Sequence, residues 1–307
     1  MINRIEFQEF AKTLITEEDK AKIKRRKIIF GILGGIFLCT ALVVLIIALI
    51  NIESSFVMLF PVVFLVTMAM IFFAVGKNLA YNGVLSKYKP QIIAFLLGKY
   101  KYTYNAKGYL SKEIYAQFNL PTHYDTYSGE DYLALNIPKD DGTPSTTDLQ
   151  ISQIRTTEYY EDSDGDRKER TLFNGTLGIV NFDFQFPCYL AVGKNYFRWQ
   201  HEEDKIETED TVFNKNFKTY SDNELEAFRI LTPDLMLKLT EIHKRFDGID
   251  FVFRGNKLFI YIHGKDLFAI KAHKEGYEKS FEIIYDDIEA LIAIIKEIQT
   301  NNKVFKF

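Results

Sequence analysis

The chain has 307 residues, 47% of them hydrophobic and 26% charged, a balance that excludes a disordered or fibrous protein. Its length leaves room for two structural units, and two cysteines exclude a disulfide framework. The net charge of −3 is spread unevenly: residues 1–27 hold eight Lys/Arg and five Asp/Glu, residues 28–90 hold three Lys and one Glu, and residues 91–307 therefore carry about −8. An acidic main part excludes nucleic acid as a partner, because phosphates need a basic face.

Residues 1–27 read as an amphipathic helix. Asn3 and Glu6 form a capping pair, and Phe7, Phe10, Ala11 and Leu14 share one face. Two uncharged apolar runs follow, residues 28–50 and 55–76. About 20 apolar residues cross a hydrocarbon core, whereas a buried core helix runs to about 10–14, so both are expected to be membrane spans. A cleaved signal peptide is excluded by the charged segment ahead of the first run and by the second run behind it. Only Asn51–Ser54 separates the spans, which forces an antiparallel hairpin with both flanks on one side. Those flanks carry Lys22, Lys24, Arg25, Arg26 and Lys27, then Lys77, Lys87 and Lys89, while the turn carries only Glu53. The positive-inside rule therefore places both termini in the cytoplasm, with the basic flank against the anionic inner leaflet of the lipid bilayer. Cys39 within a span and Cys188 in the soluble part fit a reducing compartment.

Gly31 and Gly35 form a G-x-x-x-G pattern that allows close helix contact, either with the second span or by self-association. Transport needs ionisable or polar groups at membrane depth, and the spans offer little beyond Cys39, Thr40 and Thr67. Residues 77–100 read as a juxtamembrane helix. Leu79, Leu85, Tyr88, Ile92 and Leu96 form its apolar face, and Pro90 marks a kink or break. This helix and the N-terminal one either pair or lie flat on the bilayer. Without a Gly/Ser/Pro-rich linker, pairing is the expectation, with Phe7, Phe10 and Leu14 covering the apolar face.

Residues 101–307 read as one cytoplasmic α+β domain, an antiparallel sheet with packed helices. Asp131–Ile137 alternates like a strand, and Pro138–Asp148 is turn chemistry. Strand-like runs flank the acidic turn Asp162–Asp166, giving a long hairpin or a meander. Asp250–Ile262 is a second hairpin, with Gly255-Asn256 as its two-residue turn. In residues 213–239, Ser221 and Glu224 fit a capping box, with Leu225 and Phe228 facing one way. Thr232 caps the next helix with Pro233 at its first position, Leu235, Leu239, Ile242 and Phe246 form its stripe, and Asp247-Gly248 ends it. Phe213 and Phe217 are expected to fasten the preceding segment to the sheet. Asp286 and Glu289 fit the capping box of a final helix with a stripe of Ile288, Leu291, Ile292, Ile295 and Ile298.

The pattern Phe213-Asn214, Phe217, Tyr220-Ser221, Glu226-Ala227, Leu231-Thr232-Pro233 and Met236 resembles the signature of an uncharacterised bacterial family. The resemblance extends to Tyr127–Tyr132, Asn256–Ile262 and Asp266–Phe268, and covers roughly residues 90–270. It implies a two-span inner-membrane protein with a cytoplasmic C-terminal domain of unknown function. It implies no activity, ligand or catalytic residue.

Chemical motifs are sparse. Asp162–Asp166 resembles the start of a calcium loop, but its twelfth position is Phe173 where a bidentate glutamate is needed. His123, His201, His243, His263 and His273 have no metal-ligand spacing, and neither a nucleophile elbow nor a phosphate-binding glycine loop occurs. No cofactor or metal is expected. Glu226 and Arg229, three apart on a helix, and Glu130 and Asp131, at a strand start, remain as candidate interaction residues. The reading favoured by this pattern is a non-enzymatic interaction or sensing module at the inner leaflet, with a protein partner or self-association. The alternative is a membrane-tethered enzyme with a site near Glu130, Asp131 and Arg229, which a pocket gathering them with a histidine would favour and an open convex surface would oppose.

Overall fold

The computed structural model describes residues 2–50, 55–139, 145–194, 205–246, 248–270, 273 and 275–301, with the side chains of 55–58, 77, 78, 81 and 82 left aside. The Asn51–Ser54 turn, residues 140–144 of the Pro138–Asp148 turn, His201 and Asp247 lie outside the described residues. Two compact units are present. One comprises Ile93–Phe268 with Ile284–Phe307 and the first two residues, the other Asn3–Ile92 with Ala269–Ile283.

The second unit begins with α1 (Arg4–Leu14), whose N-cap Asn3 accepts the Ile5 N–H at 3.0 Å. Phe7 and Ala11 are buried, and Gln8 and Arg4 both reach Glu282, the former at 3.0 Å. The long helices α2 (Glu17–Ile50) and α3 (Ser55–Leu85) pack along each other. The α2 side of the seam carries small residues seven apart, Gly34, Ala41 and Ala48, all buried, and Ala69 is fully buried on α3. A spacing of seven keeps one face of a helix on its partner, and small side chains let the backbones approach. At Gly34 a Cβ would lie 2.8 Å from the Phe73 ring, and Phe37 stacks on Phe72 at 5.3 Å. Gly31 and Gly35 differ from the expected hairpin contact: a Cβ at either meets nothing within 4 Å. The seam runs through Gly34 because it follows the seven-residue repeat, on which Gly31 and Gly35 do not fall.

Beyond α3 the chain makes a 3-10 turn (Ser86–Tyr88) and then α4 (Lys89–Leu97). The break thus precedes Pro90, which sits in the first turn of α4, where its missing N–H is harmless. Leu85, Tyr88, Ile92 and Leu96 are buried, but Leu79 is 53% exposed. Tyr88 bonds the Asp19 carboxylate through its hydroxyl, and Lys87 reaches the same carboxylate at 2.6 Å.

The first unit is built on a nine-stranded antiparallel sheet of order β1-β2-β3-β4-β9-β8-β5-β7-β6. The strands are β1 (Lys101–Asn105), β2 (Thr126–Asn136), β3 (Asp148–Glu161), β4 (Arg167–Asn181), β5 (Leu190–Gly193), β6 (Lys205–Ile206), β7 (Lys218–Ser221), β8 (Ile249–Arg254) and β9 (Lys257–His263). β3 and β4 form the expected long hairpin around Asp162–Asp166, where Asp162 Oδ1 accepts the Asp164 and Asp166 N–H groups at 3.0 Å each. β8 and β9 turn at Gly255, whose φ of +61° suits glycine. Consecutive residues of both strands are buried, so this part of the sheet is covered on both faces. One cover is the short helix α5 (Lys112–Tyr115) with the turn after it: Phe118 meets Phe259 edge-on at 5.2 Å, and Tyr261 donates its hydroxyl to Phe118 O at 2.6 Å.

The remaining helices are α6 (Thr211–Asn216), α7 (Glu224–Ile230), α8 (Pro233–Arg245) and α9 (Tyr277–Thr300). Phe213 and Phe217 are buried, but their rings pack on each other at 5.0 Å and Phe217 on His243 of α8 at 5.0 Å; the α8 stripe behind the Thr232 cap is buried as expected. Two expectations are corrected. α7 is capped by Asn223, which accepts the Glu226 N–H at 3.2 Å, while Ser221 ends β7 and donates to Tyr189 O at 2.7 Å. Leu225 and Phe228 are both on the exposed side, at 79% and 39%, because α7 turns Ala227 and Ile230 inward. Asp286 lies inside α9, where it pairs with Arg245 at 3.3 Å, so it caps nothing.

Candidate functional site

Glu130 and Asp131 come together at a bulge in β2, where the register with β3 shifts between Glu130 and Leu133. Asp131 has φ +59°, a left-handed conformation that side chains rarely adopt. Its N–H donates to Ala106 O at 3.1 Å, and the next N–H, that of Tyr132, to Gly108 O at 3.0 Å. The bulge turns the Asp131 side chain inward, where it is 1% exposed and takes the Tyr104 hydroxyl from β1. Asp266, in the loop after β9, completes the group. It accepts the Phe268 N–H at 2.9 Å, and Phe268 packs on the Tyr104 ring at 6.0 Å.

Carboxylate oxygens of Glu130, Asp131 and Asp266 all lie within 4.8 Å of one another. The field of this group is felt by Tyr104. Burial first, then its bond to Asp131 and the charges of Asp131, Asp266 and Glu130, push its phenol well above the usual range. Three converging carboxylates have the ligand chemistry of a hard cation such as Ca²⁺. They equally fasten the bulge to its neighbours. The sequence marked Glu130 and Asp131 but not Asp266, which only the fold of the loop after β9 brings near.

Arg229 is not gathered with this group. It lies on α7, exposed to solvent, with its Nη1 shared between the two Glu226 carboxylate oxygens at 3.1 and 3.2 Å. No histidine belongs to the carboxylate group among the described residues. His263 instead bonds the buried Asp250 at 2.9 Å, whose other oxygen accepts the Lys194 N–H at 2.9 Å. The Cys188 thiol is buried, and burial raises its pKa despite the Ser221 hydroxyl at 3.6 Å, so it stays a thiol. A separate open depression of about 560 Å³ lies over Ala134, between Tyr132 and Asn136 on one side of β1–β3. Its lining mixes Tyr102, Tyr132 and Leu135 with Asn136 and Gln150, and Lys101 and Asp148 are its charged members.

Residues 171–300 match a family described as "Protein of unknown function (DUF3137)". The matched stretch runs from β4 to α9 and contains residues 213–236 and 256–268, but not Tyr127–Tyr132. No curated protein matches the chain. Among solved structures, the mycobacterial trehalose monomycolate transport factor A is similar over 68% of this chain and 94% of that one, at 7% identity and a TM-score of 0.35. A likeness at that level carries no argument about fold or function.

Proposed function

We propose that the protein is an integral protein of the bacterial cytoplasmic membrane, crossing it twice with both termini inside. Its acidic α+β domain binds a protein partner, or senses a signal, at the inner leaflet without catalysing a reaction. The observation that carries this reading is the outward face of α2 and α3. Only 17% and 11% of their most apolar windows are buried, and Ile32, Leu42, Phe60 and Phe64 point outward uncovered. A core helix of a soluble protein would be mostly covered, so lipid is the fitting solvent for these two. The basic flank of α2 supports the orientation.

α7 supports the partner surface. Leu225 and Phe228 are exposed beside the Glu226–Arg229 pair, giving apolar anchors next to a charged rim. Gly31 and Gly35 point away from the seam, where a helix of a second copy would approach. Nothing favours the enzyme alternative, because Glu130 and Asp131 stand with Asp266 rather than with Arg229 and a histidine.

Two measurements test the reading. The protein should resist extraction from membranes by alkaline carbonate. A reporter active only in the cytoplasm should give signal when fused after Phe307, and one active only outside should not. The opposite pattern overturns the orientation.

A further inference from the structure

At the foot of the hairpin the charges are not evenly paired. The first turn of α2 carries Glu17, Glu18 and Asp19. Lys20 reaches Glu17 at 2.6 Å, Lys22 reaches Glu18 at 2.6 Å, and Lys87 reaches Asp19 at 2.6 Å. The nearby acids are thereby taken. Lys24, Arg25 and Arg26 follow, all exposed and without a carboxylate partner among the described residues. Successive helix positions point about 100° apart, so these three face different directions around α2 as a collar.

The next residues, Ile28 and Ile29, are apolar and about half exposed. From Lys24 to Ile28 the helix rises about 6 Å. That matches the roughly 5–7 Å of headgroup layer on each side of a hydrocarbon core. Arg26 has a further support. Its guanidinium lies over Gly83 on α3, in the space that a side chain there would share with it. The glycine gives the guanidinium a seat on the second helix.

We propose that this collar is a binding surface for the headgroups of anionic phospholipids, with Lys24, Arg25 and Arg26 as the phosphate-binding cations and Gly83 as the seat that positions Arg26. The inference rests on the membrane placement proposed above. Guanidinium groups fit phosphate oxygens two at a time, which suits the two arginines to this ligand. A neutral headgroup with its own ammonium offers the collar no net charge to bind, so it is discriminated against.

The test uses the full-length protein in detergent, incubated with equal amounts of phosphatidylglycerol and phosphatidylcholine of matched chains. Bound lipids are quantified by mass spectrometry after gel filtration. The wild type is expected to retain phosphatidylglycerol in roughly tenfold excess or more, and K24Q/R25Q/R26Q to lose that excess. Arg25→Gln alone, at an exposed position, should lower the ratio roughly fivefold. A wild-type ratio below about threefold, or one that both variants keep to within about a factor of three, overturns the proposal. Carbonate extraction of the wild type reports on membrane placement separately, so the two ideas can fail independently.

Discussion

Tyr104 and Asp19 show how single buried carboxylates are held. At the β2 bulge, the Tyr104 hydroxyl is a partner of a carboxylate that is almost wholly buried. Tyr104→Phe removes that donor and keeps the ring, so stability should fall by about 1–3 kcal/mol in urea unfolding of the protein. An unchanged midpoint would mean that the backbone alone holds the bulge. Asp19 lies at the foot of the hairpin, outside the apolar run. Lys87 first, then Tyr88, with Thr16 assisting, outweigh burial and hold its carboxyl at about 2, below the usual 3.8. The folded pKa is depressed, so this stabilisation is fully present above the unfolded value and is lost as pH falls from about 4 to 2. Lys87 is 57% exposed, so solvent screens part of the effect. Thermal unfolding in detergent should show D19N less sensitive than the wild type across that acid window, and the difference between the two constant between pH 6 and 8. Equal acid sensitivity of the two would remove Asp19 from the account.

At the level of single elements, α7 separates two readings of its start. Asn223→Ala should cost about 1 kcal/mol by removing the cap on Glu226 N–H. Ser221→Ala should act first on the β5–β7 pairing, shown by faster amide exchange at Tyr189 and Leu190, and reach α7 only through its bonds to the Asn223 backbone, with less protection lost there than in Asn223→Ala. Exchange lost in α7 for Ser221→Ala, and not for Asn223→Ala, would restore the sequence-based cap. The ambiguity has a physical source. Ser221-x-x-Glu224 and Asn223-x-x-Glu226 both fit a helix start, and the choice is made by Ser221 pairing with Leu190 across the sheet. Asp286 and Glu289 misled for a similar reason, since Asp286 serves Arg245 on α8 in the middle of a longer helix. Where the signal is local and steric, it was legible. Gly255-Asn256, Thr232-Pro233 and the two apolar helices stand where the pattern put them. The carboxylate site was half legible, because Asp266 joins it only through the loop that follows β9.

For the whole molecule, the N-terminal helix is the element whose loss is easiest to read. α1 buries Phe7 and Ala11, and Ile15 follows at 3% exposure. Removing residues 2–15 would strip that cover from its own unit, and each large apolar side chain so affected is worth roughly 1.5–3 kcal/mol. The truncated protein should be depleted in pulse-chase measurements although both apolar helices remain, and normal lifetime and protease resistance would show the helix to be dispensable. The order of the sheet has a consequence of another kind, for biosynthesis. β4 leaves the ribosome well before β9, yet Gly175–Asn181 pairs with Lys257–His263. At about 5–20 residues per second, several seconds pass in which a nascent four-stranded sheet presents β4 as an open edge rich in apolar side chains. During that interval the half-made domain is a template for pairing with other chains. Its yield in cells should therefore depend on chaperones that reach nascent chains, and on the rate of translation through the segment between β4 and β9.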